Sequence, residues 1–399
     1  MKVNSNIGML VCSYYPQDPR VRREAEALVE AGYAVDVVCL RRPGQAPREE
    51  VGGVSVYRVP MDRRRAGKLR YVWDYLWFEV LGLIWLTALH AWRRYRVVHV
   101  HNMPDVLVFC AIPARLAGAR VVLDLHDPSP EMYQTKFGIS PAGRAFRAMA
   151  ALERLSIRVA HLVFTPNVAF RDRFVARGCP PEKIHILMNS PQEEIFNSAI
   201  RNPQSAFEFR LMFHGGIYHR HGLDLVLDAI GRLEGRIPRL RFDVYGEGDW
   251  LEPFLDLVRG RGLGDRVRYH GHVPLEQIAA AIPAIDLGVI PNRLTPFTEI
   301  NLPTRIFEYL SAGKPVVVPR TRGILDYFPD DSIFYFDADS ADSLAVAIAR
   351  IHDDPARGAG VLARATAIYR RHAWKNEKRT LVQQVNALTG FESRTGGQR

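Results

Sequence analysis

Cysteine is scarce in this chain. Its four residues, Cys12, Cys39, Cys110 and Cys179, stand far apart, with no CxxC pair and no metal-like spacing. A disulfide framework and a cysteine metal centre are thereby excluded, and a reducing compartment is expected. No secretory leader is read either: MKVNSNIGMLVCSYYP has one Lys and then polar residues before a short apolar run, which reads as a first strand. Acidic residues are thin over 41–96, where five Asp/Glu face twelve Arg/Lys, among them Arg63, Arg64, Arg65, Lys68 and Arg70. That stretch carries +7 of the chain's +10. Such a patch can meet nucleic acid, an anionic membrane or a phosphorylated substrate, or be a solvated face. No nucleic-acid recognition motif accompanies it, and its tryptophans lie on an apolar helix, so nucleic acid is not expected as a partner.

The composition, 47% hydrophobic and 24% charged over 399 residues, fits a globular protein of two domains. Up to residue 195, short β-rich runs at 7–12, 34–40, 54–59, 96–100, 120–125 and 161–165 alternate with helical segments at 20–32, 71–95, 104–118 and 141–159. A second series follows a polar linker near 190–205. Its strands are expected at 210–215, 241–246, 266–271, 285–291, 315–319 and 332–336, with helices at 222–234, 249–261, 274–282, 303–312 and 340–353. Apolar strands alternating with helices imply α/β domains with parallel, doubly wound sheets covered on both faces. The divisions predicted are 1–195, 205–371 and a terminal helix over 372–389.

The segment YVWDYLWFEVLGLIWLTALHAW (71–92) has the length of a membrane span but is interrupted by Asp74, Glu79 and His90. A span here would put the first three strands across a bilayer from the rest of their sheet. Two other placements fit: a covered helix of the first domain, or a helix lying at a membrane interface beside the basic patch.

In such sheets ligands bind beyond the carboxyl ends of the strands. In the second domain, FHGGIYHRHGL (213–223) sets Gly215 and Gly216 straight after a strand, with Arg220 able to grip phosphate. VYGEGDW (244–250) repeats the device with Gly246 and Gly248. The stretch 291–319 places Glu299 and Asn301 in a loop and Pro303 at a helix start. Glu308 follows one to two turns on, where a carboxylate can take a ribose diol while the helix N-terminus takes a phosphate. In the first domain two strands end in histidine: VHVHNMPD with His101 and Asn102, and LDLHDPSPE with His126 and Asp127. A His and an Asp there can orient a hydroxyl or serve as acid and base. Asp18 and Arg20 sit at the first strand-to-helix turn, where a phosphate or an acceptor can bind.

Together these motifs, from SYYPQDPRVRREAEAL through FHGGIYHRHGLDL to LPTRIFEYLSAGKPVVV, resemble glycosyltransferase family 4 over nearly the full length, and its exopolysaccharide-type branch in particular. The resemblance implies a GT-B fold, two facing Rossmann-like domains with a cleft between them. It implies a nucleotide-sugar donor, of UDP or GDP, held mainly by the C-terminal domain (Gly215, Gly216, Arg220, Gly246, Gly248, Asn301 to Thr304 through Leu302 and Pro303, Glu308). A lipid-linked or saccharide acceptor would be held mainly by the N-terminal one (Asp18, Arg20, His101, Asn102), with His126, Asp127 and Glu299 catalytic. Retention of anomeric configuration, no cofactor, no essential metal, and a cytoplasmic place in bacterial surface-polysaccharide synthesis, peripheral on the membrane, are implied with it. The sequence departs from the family pattern twice. The first of its paired glutamates, seven intervening residues before Glu308, falls on Ile300, with Glu299 one residue early. The usual lysine of the first C-terminal loop is His221, which leaves Arg220 for the diphosphate. Epimerisation or hydrolysis of a nucleotide sugar, or binding without catalysis, are the alternative readings.

Overall fold

The computed structural model describes residues 5–62, 68–197 and 208–390. Arg63, Arg64 and Arg65, and the expected linker from 198 onward, lie outside the described residues, as do the side chains of Lys68 and Arg70. Two compact units emerge: Met1–Met188 together with Lys375–Arg399, and Asn189–Trp374.

The sheet of the first unit has eight strands: β1 (Asn6–Val11), β2 (Ala34–Leu40), β3 (Arg48–Val51), β4 (Val54–Val59), β5 (Val97–His101), β6 (Arg120–Asp124), β7 (Leu162–Thr165) and β8 (Ile184–Ile186). Their order is β3-β4-β2-β1-β5-β6-β7-β8. β1 is central, with Ile7, Met9 and Leu10 wholly buried, because helices cover both faces of a parallel sheet. From β1 the chain builds outward to β2 and β4, then returns to lay β5 on the other side. The ends of β1 and β5 therefore form a switch point, and Val11 pairs with His101 there.

The sequence led to the expectation of a parallel sheet, but β3 runs antiparallel to β4. Gly52 and Gly53 join them with φ of +60° and +77°. Two positive φ values in succession make the primed turn that closes a two-residue hairpin. The expected helix over 104–118 is instead a 3₁₀ segment, Asp105–Ala111, followed by a short α-helix, Ile112–Leu116. Pro113 has no N–H to continue a longer helix, so it sits at the start of the second piece. Helices Ser129–Phe137, Val168–Ala176 and Pro355–Arg371 add to those anticipated. The helix Trp374–Thr389 packs on the first unit: Tyr33 Oη donates to Asn386 Oδ1 at 2.6 Å, and Glu377 Oε2 accepts from the Met188 amide at 2.9 Å.

The second unit carries β9 (Phe209–His214), β10 (Leu240–Tyr245), β11 (Val267–Tyr269), β12 (Leu287–Val289), β13 (Val316–Pro319) and β14 (Phe334–Phe336), all parallel, in the order β11-β10-β9-β12-β13-β14. This is the Rossmann order, and its switch point lies between β9 and β12. Helices Leu223–Leu233 and Ala341–Asp353 cover one face, burying Val226, Ile230, Leu344 and Ile348 against Leu211, Phe242 and Val289.

Candidate active site

In the first unit the residues at the ends of β1, β5 and β6 converge. Asp18 caps the helix Pro19–Glu30, accepting from the Arg20 amide at 3.2 Å and from the Arg20 guanidinium at 3.0 Å through each carboxylate oxygen. Burial alone would raise the Asp18 pKa; the guanidinium overrides it and holds the carboxyl below its usual range. Asn102 binds two loops together. Its Oδ1 accepts from the His126 amide at 2.8 Å, while Nδ2 donates to Asp105 Oδ1 at 2.8 Å and to the Asp127 carbonyl at 2.9 Å. Ser129 Oγ also donates to Asp105, at 2.9 Å. With its amide so engaged, Asn102 positions His126 and Asp127.

Asp124, which the sequence did not single out, is the centre of the cluster. Its Oδ2 lies 3.5 Å from His101 Nδ1, 3.5 Å from His126 Nε2 and 4.0 Å from His99 Nε2. His99 and His101 alternate on β5 and so share a face, stacked at 4.3 Å. Burial pushes His126 down to about 3, against the pull of Asp124, so the ring is neutral near pH 7. Its Nε2 faces Asp124 and lies 3.3 Å from His101 Nδ1. Glu24, His99, His101 and Asp124 have the donors of a zinc site, with ligand atoms all within 4.8 Å of one another. Burial raises the Glu24 pKa well above normal, so a metal would have to displace its proton, and the Arg23 cation already acts on that carboxylate.

In the second unit the loop after β9 turns through Gly215, at φ +119°, and Gly216 into a 3₁₀ turn, His219–His221, which carries Arg220 over the Tyr218 ring. Arg305, also missed in the sequence, enters from the helix Thr304–Ser311. Its Nη1 donates to the His214 carbonyl at 2.8 Å, its guanidinium stacks on Phe213, and Nη1 lies 3.1 Å from where a Gly215 Cβ would be. Burial lowers the Arg305 pKa, and the neighbouring Arg220 cation pushes it the same way. Two guanidiniums beside a glycine turn and a helix N-terminus make a ready site for an anion. Tyr309 anchors the same helix, donating to the Met212 carbonyl at 2.9 Å, with its ring where a Gly288 side chain would be. Glu308 is thereby aimed at the end of β9, where its Oε2 lies 3.4 Å from His214 Nε2.

Gly246 and Gly248 differ from the phosphate cradle expected of them. A Cβ on Gly246 would stand 1.8 Å from the Gly215 carbonyl oxygen, and one on Gly248 2.1 Å from that of Ile217. Their missing side chains admit the backbone of the first glycine loop, which they buttress. Glu299 accepts from the Arg322 amide at 3.3 Å, and Ile300, at the family's glutamate position, is buried. Pro303 stands at the N-cap position, and Asn301 and Leu302 lead into it.

Residues 17–190 match the family model for a glycosyl transferase 4-like domain, and residues 208–354 match that for glycosyl transferases group 1. In domain content the chain is thus of the GT4-like kind, and its fold is GT-B. Among curated proteins it resembles 2-deoxystreptamine N-acetyl-D-glucosaminyltransferase of Streptomyces fradiae, 26% identical over 77% of this chain and 75% of that one. The matches to the first two curated relatives span 44% and 38% of those proteins. Among solved structures, sucrose-phosphate synthase from Thermosynechococcus elongatus superposes with a TM-score of 0.79 at 18% identity, covering 97% of this chain and 99% of that one. Anabaena HepE in complex with UDP-glucose does so with 0.70 at 16% identity, covering 96% and 99%.

Proposed function

We propose that the protein is a retaining glycosyltransferase that moves a sugar from a UDP- or GDP-sugar to a hydroxyl of a lipid-linked or saccharide acceptor, in bacterial surface or exopolysaccharide synthesis. The observation that carries this reading is the convergence of Arg220, Arg305, the Gly215–Gly216 turn and Glu308 at the switch point of the second sheet. In the proposed site the two guanidiniums and the helix N-terminus from Asn301 to Thr304 hold the diphosphate, and Glu308 holds the ribose. The guanidiniums supply the positive charge that a departing diphosphate requires, the task a metal performs elsewhere. Because Glu299 is engaged with Arg322, backbone groups of Asn301 to Thr304 serve the sugar in place of the first family glutamate. His126, neutral beside Asp124 and held through its amide by Asn102, contacts sugar or acceptor with Asp127 beside it, while Asp18 and Arg20 bind the acceptor. The leaving phosphate takes the acceptor's proton. The protein works on the cytoplasmic side, peripherally on the membrane through the basic 41–96 segment.

A thermal-shift panel of UDP, GDP, ADP and dTDP on wild type and Glu308→Ala tests the donor site. A ligand at a hundred times its Kd adds about 2.7 kcal/mol. One diphosphate should stabilise wild type and fail on the variant. Turnover of the matching nucleotide sugar must then require an acceptor. Free sugar released without one would mean a hydrolase, binding without turnover a non-catalytic binder, and a trapped glycosyl-enzyme another mechanism.

A further inference from the structure

The helix Lys68–Arg93 has its amphipathicity inverted. Along its outward face Trp73, Leu76, Trp77, Val80, Leu83 and Ile84 are all exposed, Trp73 by 68% and Ile84 by 57%. These positions follow helical spacing, so they form one stripe, about 16 Å long at 1.5 Å per residue. Ala88, Ala91 and Trp92 extend it, and no charged residue interrupts it. The inward face carries Asp74, Phe78, Gly82, Leu86 and Leu89, all buried. Beside it, Leu116 on the neighbouring helix Ile112–Leu116 is 83% exposed. A helix facing water alone would be arranged the other way round.

We propose that this stripe seats the first unit on an anionic lipid bilayer, with the helix lying flat among the headgroups. Spanning is disfavoured by the inward face: a Cβ at Gly82 would lie 3.3 Å from Leu10 of the central strand, and Phe78 and Leu86 are wholly buried. Withdrawing the helix would open the core of the sheet. Charge selects lipid over a second copy of the chain. Lys68 and Arg70 begin the helix, and Arg94 and Arg96 follow its end, within a stretch of net charge +7. A second copy would bring the same positive charge against itself, whereas an acidic headgroup layer attracts it. Tryptophan, with an apolar body and a polar N–H, is the side chain suited to that depth.

The proposal rests on the peripheral-membrane reading above but not on the nucleotide reading, and its test is separate. Wild type and a triple variant, Trp73→Ser/Trp77→Ser/Ile84→Ser, are spun with phosphatidylglycerol–phosphatidylcholine vesicles and with phosphatidylcholine alone, at low and high salt. Wild type should sediment with the anionic vesicles at low salt, with a blue shift of its tryptophan emission. The variant's partition coefficient should fall by roughly tenfold or more, with its melting temperature and nucleotide stabilisation unchanged. No binding to anionic vesicles, equal binding by the variant, or a wild-type dimer that the variant dissolves without any vesicle binding would each overturn it.

Discussion

Three glycines allow the cost of backbone strain to be separated from the cost of overlap. Gly262 has φ +67° with nothing within 4 Å of its Cβ position, so Gly262→Ala carries strain alone. Gly248 has no such φ, but its Cβ would meet the Ile217 carbonyl oxygen at 2.1 Å, so Gly248→Ala carries overlap alone. Gly246 has both, with φ +133° and 1.8 Å to the Gly215 carbonyl oxygen. The struck backbone cannot retreat, because Gly215 donates to the Tyr245 carbonyl at 3.0 Å and Ile217 to that of Glu247 at 2.9 Å. A left-handed alanine costs about 1–2 kcal/mol and overpacking about 1–3, so Gly246→Ala should lose about 2–5 kcal/mol. At roughly 2–4 °C per kcal/mol for a domain of this size, Gly262→Ala should melt a few degrees below wild type and Gly246→Ala some 5–20 °C below. Scanning calorimetry with and without the stabilising nucleotide reads both effects. Gly246→Ala and Gly248→Ala should lose the nucleotide shift, since they displace the Gly215–Ile217 backbone, while Gly262→Ala keeps it. If Gly248→Ala melts with Gly262→Ala and still responds to nucleotide, the loop-on-loop contact is not what holds this site.

Three further outcomes follow from single contacts. Burial pushes His214 down to about 3 from an ordinary 6.5. Between those values the unfolded chain binds a proton that the folded one refuses, so stability falls by about 1.4 kcal/mol per pH unit as pH drops below 6.5. His214→Gln should remove its share of that acid slope, beside the share of the likewise buried His126, in melts between pH 7 and 4.5, and an unchanged slope would contradict the burial argument. Asp36 accepts two hydrogen bonds from Arg93, at 2.7 and 2.8 Å, and one from Tyr95 at 2.8 Å. Asp36→Asn should cost about 2–3 kcal/mol in urea unfolding, with an unmoved midpoint as the contrary result. Arg305→Met keeps apolar contact with Phe213 and removes the cation, so nucleoside diphosphate affinity should drop about tenfold and monophosphate affinity less, measured by calorimetry.

What was legible in the sequence and what was not divides along the reach of the interactions. Strands buried on both faces have to be apolar along their length, so β1, β2, β5 and β6 announce themselves, and the histidines closing β5 and β6 stand out at once. Their partner does not. Asp124 is the last residue of an apolar strand, and only the pairing of β5 with β6 places it among three imidazoles. His99 was open to a reading by alternation, since i and i+2 share a face. Arg305 acts on the His214 carbonyl 91 positions away, a contact that no local pattern encodes. The glycines of 244–250 were visible but their reason was not: a glycine before a ligand and a glycine before another loop's carbonyl look the same in one dimension. The helix Lys68–Arg93 makes the same point in the other direction. Its sequence is apolar nearly all round, which fits a core helix, a span and an interfacial helix alike. What separates them is which face the sheet takes. The fold spends its inward face on Asp74, Phe78 and Leu86 and leaves three tryptophans outside. The long-range packing that hides the helix from sequence reading is therefore also what gives its exposed stripe a meaning.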